Sequence, residues 1–214
     1  MAKNQKIIVG IDEVGRGPLA GPVLACALTG LKERLKELGS LLPQGILQGT
    51  EFLGDSKKLS PKQREVIYDF LKKNPQVEWG IGRVSERVID KINIFQATKL
   101  AMEKAVLNLE KKLSRQADLL LIDGNFSIGI AREQKSIIKG DEKIFLISLA
   151  SIVAKVTRDR LMIKLHRQYP QYGFDQHKGY GTKLHCERLL KFGCCPLHRQ
   201  TFAPIKNSKQ GFEI

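Results

Sequence analysis

Two acids, Asp12 and Glu13, stand side by side directly after the apolar run "KIIVGI" at residues 6–11. A third, Asp123, closes the run "DLLLID", and a fourth, Asp141, follows Ile137 and Ile138 in "IIKGDEKIF". Apolar runs give way here to glycine-containing loops, as in "GIDEVGRG" and "LIDGNFSIG". A single aspartate in such a place is ordinarily a turn or helix-cap residue. Four acids in one local context suggest a shared site, because sites in open α/β sheets gather beyond the carboxyl ends of strands. Clustered carboxylates repel one another and need a compensating cation if they are to stay ionised. Oxygen-only donors favour Mg²⁺ or Mn²⁺ over zinc. Such a site in a basic protein points to phosphoryl chemistry, with lysines and arginines holding a polyanion while the metal acts on one phosphate.

Those acids must be placed by the elements around them. Residues 6–11 read as a strand covered on both faces, and "GPVLACAL" as a second strand after a tight Gly/Pro turn. Adjacent strand residues face opposite ways. Asp12 and Glu13 are therefore expected to share a site only where the strand has ended or bulged, which Gly15 and Gly17 would allow. Residues 31–50 read as a surface excursion, helical at first and then loop-like. "LSPKQREVIYDFLKKN" is a helix with Ser60 as N-cap and Pro61 in its first turn, ended by Asn74-Pro75. "QVEWGIGRVS" alternates as a strand. Helical spacing runs through residues 93–114, and "DLLLID" is a further strand. "SLASIVAKVTRDRLMIKLHRQYP" is a helix stopped by Pro170, and "TKLHCERLLKFG" a shorter one ended by Gly193. The order predicts an α/β fold with a mixed sheet and a helical C-terminal third.

The 214 residues, 42% hydrophobic, suffice for one core of ordinary size, one domain or one with an appendage at roughly 100–200 residues per domain. "MAKNQK" carries no long apolar leader, and no apolar stretch approaches the ~20 residues of a membrane span. A soluble, cytoplasmic protein is expected. The 36 Lys and Arg against 22 Asp and Glu, net +14, favour a polyanionic partner, most simply nucleic acid. Cys194 and Cys195 are adjacent, poor material for an intrachain disulfide framework, so reduced thiols are expected. His185, Cys186, Cys194, Cys195 and His198 gather near one another without paired C-x-x-C spacing. Thiols packed at a helix end are expected there in preference to zinc. "GRGPLAG" lacks dinucleotide-loop spacing and carries Pro18. "GTEFLGDSKK" has Asp55 and Ser56 where a phosphate loop needs Lys and Ser/Thr.

Taken in order, "GIDEVGRGPLAGPV", "GDSKKLSPKQRE", "LIDGN", "KGDEKIFLISLASIVAKVTRDRLM", "QYPQYGFDQHKGYGTKLH" and "HRQTFAPI" closely resemble the successive signatures of bacterial ribonuclease HII along most of the chain. The resemblance implies a ribonuclease H-like mixed sheet flanked by helices, over residues 1–168, with a helical C-terminal extension, 169–214, packed on it. It implies an endonuclease that cuts RNA in RNA–DNA hybrids and at single ribonucleotides embedded in duplex DNA; a monomer is expected. Cleavage would fall 5′ of the ribonucleotide by two-metal hydrolysis, leaving 5′-phosphate and 3′-hydroxyl ends. By motif match, Asp12, Glu13, Asp123 and Asp141 would be the catalytic, metal-binding acids. Gly15, Arg16 and Gly17 would read the 2′-hydroxyl at the junction, partly through backbone groups, and Tyr180 would pack on the neighbouring sugar.

Physical chemistry agrees with these roles. Only the 2′-hydroxyl separates RNA from DNA at one nucleotide, and glycine lets backbone groups approach it closely. Without the resemblance, Arg16 reads as a surface phosphate contact and Tyr180 as a half-buried aromatic at a helix start. Lys57 and Lys58 are candidate phosphate contacts, or else part of a solvated loop. Of Lys155, Arg158, Arg160, Lys164 and Arg167, some are expected to track the backbone, with Asp159 in a local salt bridge. The terminal "KQGFEI" resembles a bacterial sliding-clamp peptide. A hybrid-binding protein without catalysis and a DNA endonuclease on the same fold are the competing functions. The four acids speak against the first, and the Gly15–Gly17 loop with Tyr180 against the second.

Overall fold

The computed structural model of the chain describes residues 6–30 and 59–208. The excursion at 31–50, Lys57 and Lys58, and the clamp-like tail at 209–214 lie outside the described residues.

Five strands form one sheet in the order β3-β2-β1-β4-β5. β1 (Ile8–Val14), β2 (Val23–Gly30) and β3 (Val77–Val84) make an antiparallel meander. β4 (Leu119–Asp123) and β5 (Glu133–Ile137) continue from β1 in parallel. The sheet is therefore mixed, with β1 at its centre, as the alternation of strands and helices predicts. β5 has no counterpart in the sequence reading: "EQKSI" is polar and largely exposed at the sheet edge, so it carries no apolar pattern.

Alternation along β1 divides the core. Val9 and Ile11 join Leu120 and Ile122 of β4 in a cluster with Ala97, Ala101, Met102 and Ala105 of helix α2 (Glu86–Leu113). Ile8 and Val14 face the opposite layer, built from α1 (Pro61–Lys73) and the long helix α4 (Phe145–Gln168). α1 carries the expected capping box: the Ser60 hydroxyl accepts from Gln63 N–H while the Gln63 side chain accepts from Ser60 N–H, worth about 1 kcal/mol. α2 begins earlier than helical spacing indicates, at Glu86, and breaks at Asn93 (φ 66°, ψ 166°). Asn93 Oδ1 accepts from Gln96 N–H at 3.0 Å, restarting the helix as an N-cap would.

α4 lies directly on β1. A Cβ at Gly10 would stand 2.4 Å from the backbone carbon of Leu146, so only glycine admits this approach. The contact sets the first turns of α4 over the carboxyl end of β1. After α4 come a 3₁₀ turn (Pro170–Tyr172), α5 (Phe174–His177), α6 (Lys183–Phe192) and α7 (Ile205–Ser208). A third apolar cluster joins Tyr172, Phe174, Leu189, Leu197 and Ile205 to Leu19, Ala20 and the Met162 face of α4. Among the described residues no helix is long and apolar enough to cross a membrane.

Candidate active site

Beyond the carboxyl ends of β1 and β4 lies a cleft of about 500 Å³, lined by Asp12, Glu13, the 14–17 loop, Arg64, Asp123, Ser151, Lys155 and Tyr180. Carboxylate oxygens of Asp12, Glu13 and Asp123 all lie within 4.8 Å of one another.

β1 has neither ended nor bulged at Glu13, contrary to the sequence expectation. Its pairing with β2 runs on in regular register through Asp12↔Cys26 and Glu13↔Ala25 to Val14↔Leu24. What stops is the other side: pairing with β4 ends at Ile11↔Ile122. β1 therefore overhangs β4. Asp12 and Asp123 fall on the α4 face of their strands, two residues on from Gly10 and Leu121 respectively. Glu13 starts on the opposite face and reaches the others over the end of β4. Its own N–H, with no β4 carbonyl opposite, donates to Asp12 Oδ1 at 2.7 Å. A strand overhang does what a bulge would otherwise do.

The electrostatics are those of a site short of positive charge. Burial, then Glu13, then Asp123 push the Asp12 carboxyl well above the usual aspartate range. The Ser151 side chain and the Glu13 N–H act against that shift. Burial also raises Glu13, only partly offset by Arg16, whose Nη1 donates to Glu13 Oε1 at 3.3 Å. Three oxygen donors held together at this electrostatic cost fit a hard divalent cation. Asp123 Oδ1 accepts from Gly140 N–H at 2.6 Å. Asp141 is the next residue, 1% exposed in the short helix α3 (Gly140–Lys143). It stands beside the group of three mutually close carboxylates and is not one of them.

Gly15, Arg16 and Gly17 border the same cleft. A Cβ on Gly17 would meet Tyr180 Cε1 at 3.8 Å, so the loop and the ring are neighbours. Gly15 takes φ +92°, and a Cβ there would collide with the buried Arg158 side chain at 2.3 Å. The Tyr180 side chain is 40% exposed, flanked by Lys155 Nζ and Arg158 Cζ about 6 Å from its ring centre.

Other side chains take roles their types alone do not announce. Arg158 and Arg199 are fully buried. Arg158 donates to the carbonyls of Ala20, Pro22 and Lys178, so it is no phosphate tracker. Burial lowers Arg158 to about 10, and burial with repulsion from Arg158 lowers Arg199 to about 9, which leaves both charged at neutral pH. Arg160 pairs with Glu65 and Asp69 on α1, and Asp159 takes its expected local partner, Lys155, at 2.8 Å. Ser151 and Arg64 lie outside the sequence-derived set. Ser151 and Lys155 stand four residues apart in the largely apolar first half of α4, residues 145–156, and that spacing was the available signal. Arg64 Nη1 donates to Leu59 O, joining α1 to the end of the "DSKKLS" segment.

The zinc alternative receives no support: His185 and His198 are buried and bonded to each other at 3.1 Å between Nε2 atoms. Among the described residues, the only group of His, Cys, Asp and Glu able to hold a metal is the acidic one. The four cysteines form no disulfides.

Comparison with known proteins matches this arrangement. The family model described as Ribonuclease HII covers residues 9–205. A protein named ribonuclease HII from Chlamydia caviae is 51% identical over 201 residues, 94% of this chain and 85% of that one. The crystal structure of ribonuclease H2 from Pyrococcus horikoshii shares the fold at TM-score 0.70 and 24% identity, over 95% of this chain and 97% of the other. So does ribonuclease HII from Archaeoglobus fulgidus, solved in complex with PCNA, at TM-score 0.68 and 23% identity, over 92% and 95%. Matched across nearly its whole length, the chain belongs to the ribonuclease HII family, endonucleases that cut RNA in RNA–DNA hybrids.

Proposed function

We propose that the protein cuts on the 5′ side of ribonucleotides, including single ones embedded in duplex DNA. The observation that carries this reading is the shared cleft: the acidic cluster, the Gly15–Gly17 loop and Tyr180 all line it. A nuclease without sugar discrimination needs only the first of these.

Asp12, Glu13 and Asp123, with Asp141 beside them, would hold Mg²⁺ or Mn²⁺. Bound there, divalent cations supply the activation of water and the stabilisation of the leaving oxygen that define two-metal hydrolysis. The chain's own residues do the rest. Ser151 and the Glu13 amide keep the Asp12 carboxyl turned into the cleft. Backbone groups of residues 15–17 pair with the 2′-hydroxyl, and the Tyr180 ring packs against the deoxyribose next to it. Lys155 and Arg64 at the cleft wall, with Lys57 and Lys58, hold flanking phosphates. In the reaction, a water oxygen bonds to phosphorus while the bond to the 3′-oxygen breaks. A 5′-phosphate and a 3′-hydroxyl remain.

The terminal peptide 209–214 is proposed to engage a sliding clamp, as the archaeal relative's complex with PCNA suggests. Removal of these six residues should abolish clamp pull-down and leave cleavage of short duplexes intact.

The decisive assay offers the purified protein a duplex with one ribonucleotide and its all-DNA counterpart, with Mg²⁺ or Mn²⁺. Cutting of the first alone, 5′ of the ribonucleotide, is expected. No cutting of either would identify a binder, and equal cutting of both a DNA nuclease.

A further inference from the structure

We propose that Arg199, contributed from the C-terminal segment 184 residues beyond Gly15, is the positioning residue of the loop that reads the ribonucleotide. The inference rests on the reading of residues 15–17 given above and says what holds them.

The Arg199 guanidinium fills the inside of the 15–21 loop. Its Nη2 donates to Gly15 O at 2.6 Å and Gly21 O at 2.8 Å, its Nη1 to Arg16 O at 2.8 Å, and its Nε to Gly21 O at 3.0 Å. One planar fork thus ties the beginning of the loop to its end. All the acceptors are main-chain carbonyls. No carboxylate accepts from the fork in these contacts; the carbonyl bonds, the Phe202 ring 4.9 Å from its Cζ and the nearby charges of Glu86 and Asp90 together offset the burial of the cation.

The consequence lies in the peptide planes. In a trans peptide the C=O of one residue and the N–H of the next point opposite ways. Drawing the carbonyls of Gly15 and Arg16 inward onto Arg199 turns the N–H groups of Arg16 and Gly17 outward. Two successive amides pointing the same way form a concavity of donors. The loop borders the cleft next to Tyr180, and in this proposal these two amides lie on its cleft side. Arg199 does not touch the substrate. It orients the groups that do.

Its own position is fixed from both sides. Arg199 N–H donates to Leu19 O at 2.8 Å, and Gly21 N–H donates to Leu197 O at 2.8 Å. Directly after it, Asp90 on α2 accepts Gln200 N–H, Thr201 N–H and the Thr201 hydroxyl, at 3.0, 3.0 and 2.7 Å. Lysine cannot replace the fork, since a single ammonium cannot reach Gly15, Arg16 and Gly21 carbonyls in one plane.

The test measures binding in a cleavage-silenced Asp12→Asn background, by anisotropy, to a duplex with one ribonucleotide and to its all-DNA twin. Asp12→Asn alone should prefer the ribonucleotide duplex. Adding Arg199→Lys should reduce that preference by about tenfold, the scale of one lost hydrogen bond to a polar group, with affinity for the all-DNA duplex unchanged. A purely structural role would instead weaken both duplexes together. An unchanged preference, or an equal loss on both duplexes, overturns the proposal. If Arg199→Lys does not fold, Asp90→Ala, which loosens the clamp from the surface, serves instead. It should lower the preference in the same direction, and an unchanged ratio counts against the proposal equally. Absence of any preference in Asp12→Asn itself would overturn the reading of the loop, and this inference with it.

Discussion

Asp123 Oδ1 accepts the Gly140 amide at 2.6 Å, so the carboxylate that ends β4 is held by the turn that delivers Asp141. The two acidic sequence segments are one structural unit. A Cβ at Gly140 would stand 2.6 Å from Ile147 Cδ1 and 3.3 Å from Asp123 Oδ1. Gly140→Ala should therefore displace the turn and weaken divalent-cation binding by about 10–100-fold, the usual cost of losing a group that orients a ligand. Calorimetric titration with Mn²⁺ checks this. Unaltered Mn²⁺ affinity would show that Asp123 does not depend on the turn.

Burial and its two acidic neighbours raise Asp12 in the folded chain, so its ionised form costs stability at neutral pH. Asp12→Asn removes that cost. In the absence of divalent cations the variant should melt a few degrees higher than the parent at pH 8. As pH falls towards the ordinary aspartate range near 3.8, the parent's carboxyl is protonated as well and the gap should close. Turnover should be lost, along with the rise in Tm that Mn²⁺ gives the parent. Melting curves with and without Mn²⁺ decide it, and a variant less stable than the parent at pH 8 would contradict the electrostatic account.

His185 and His198 are held mainly by burial at about 4, below the ordinary 6.5. At least one of the two rings must be neutral to accept in the Nε2 to Nε2 hydrogen bond. An unfolded chain protonates both near pH 6.5 while the folded one does not. Their contribution is thus intact above 6.5 and lost progressively as pH falls towards 4. Ring resonances in NMR should remain those of neutral imidazole at pH 5.5. Ordinary titration near 6.5 would show that the pair is wetter than its burial implies.

The Tyr180 hydroxyl has no part in the proposed contact, which uses the ring face. Tyr180→Phe should keep kcat/KM on a single-ribonucleotide duplex within about twofold. Tyr180→Ala should lower it by about tenfold, consistent with loss of aromatic packing. A phenylalanine variant as impaired as the alanine one would assign the work to the hydroxyl instead.

Much of this site could be read from residue types because its acids sit at the ends of apolar runs, and strand termini announce themselves by the loss of hydrophobicity. The loop and Tyr180 became legible only through an ordered set of motifs, since a glycine pair and one tyrosine carry no distinctive pattern alone. β5 escaped because an exposed edge strand has no apolar face. The overhang at Glu13 escaped for a different reason. Where one strand outlasts its neighbour is a relation between β1 and β4 that neither sequence contains. Arg158 and Arg199 were hidden by their type: arginine suggests surface or phosphate, and only the fold shows both turned onto main-chain carbonyls.

The distance along the chain between Gly15 and Arg199 also imposes an order on synthesis. The three clustered acids are all translated by residue 123, whereas the guanidinium that closes the 15–21 loop arrives near the end. At ribosomal rates of about 5–20 residues per second, seconds separate the two. A nascent chain thus carries its full complement of clustered carboxylates before the loop beside them can take its final shape. On the proposed reading of the loop, sugar selectivity would come to the growing polypeptide only after its acidic cluster is complete.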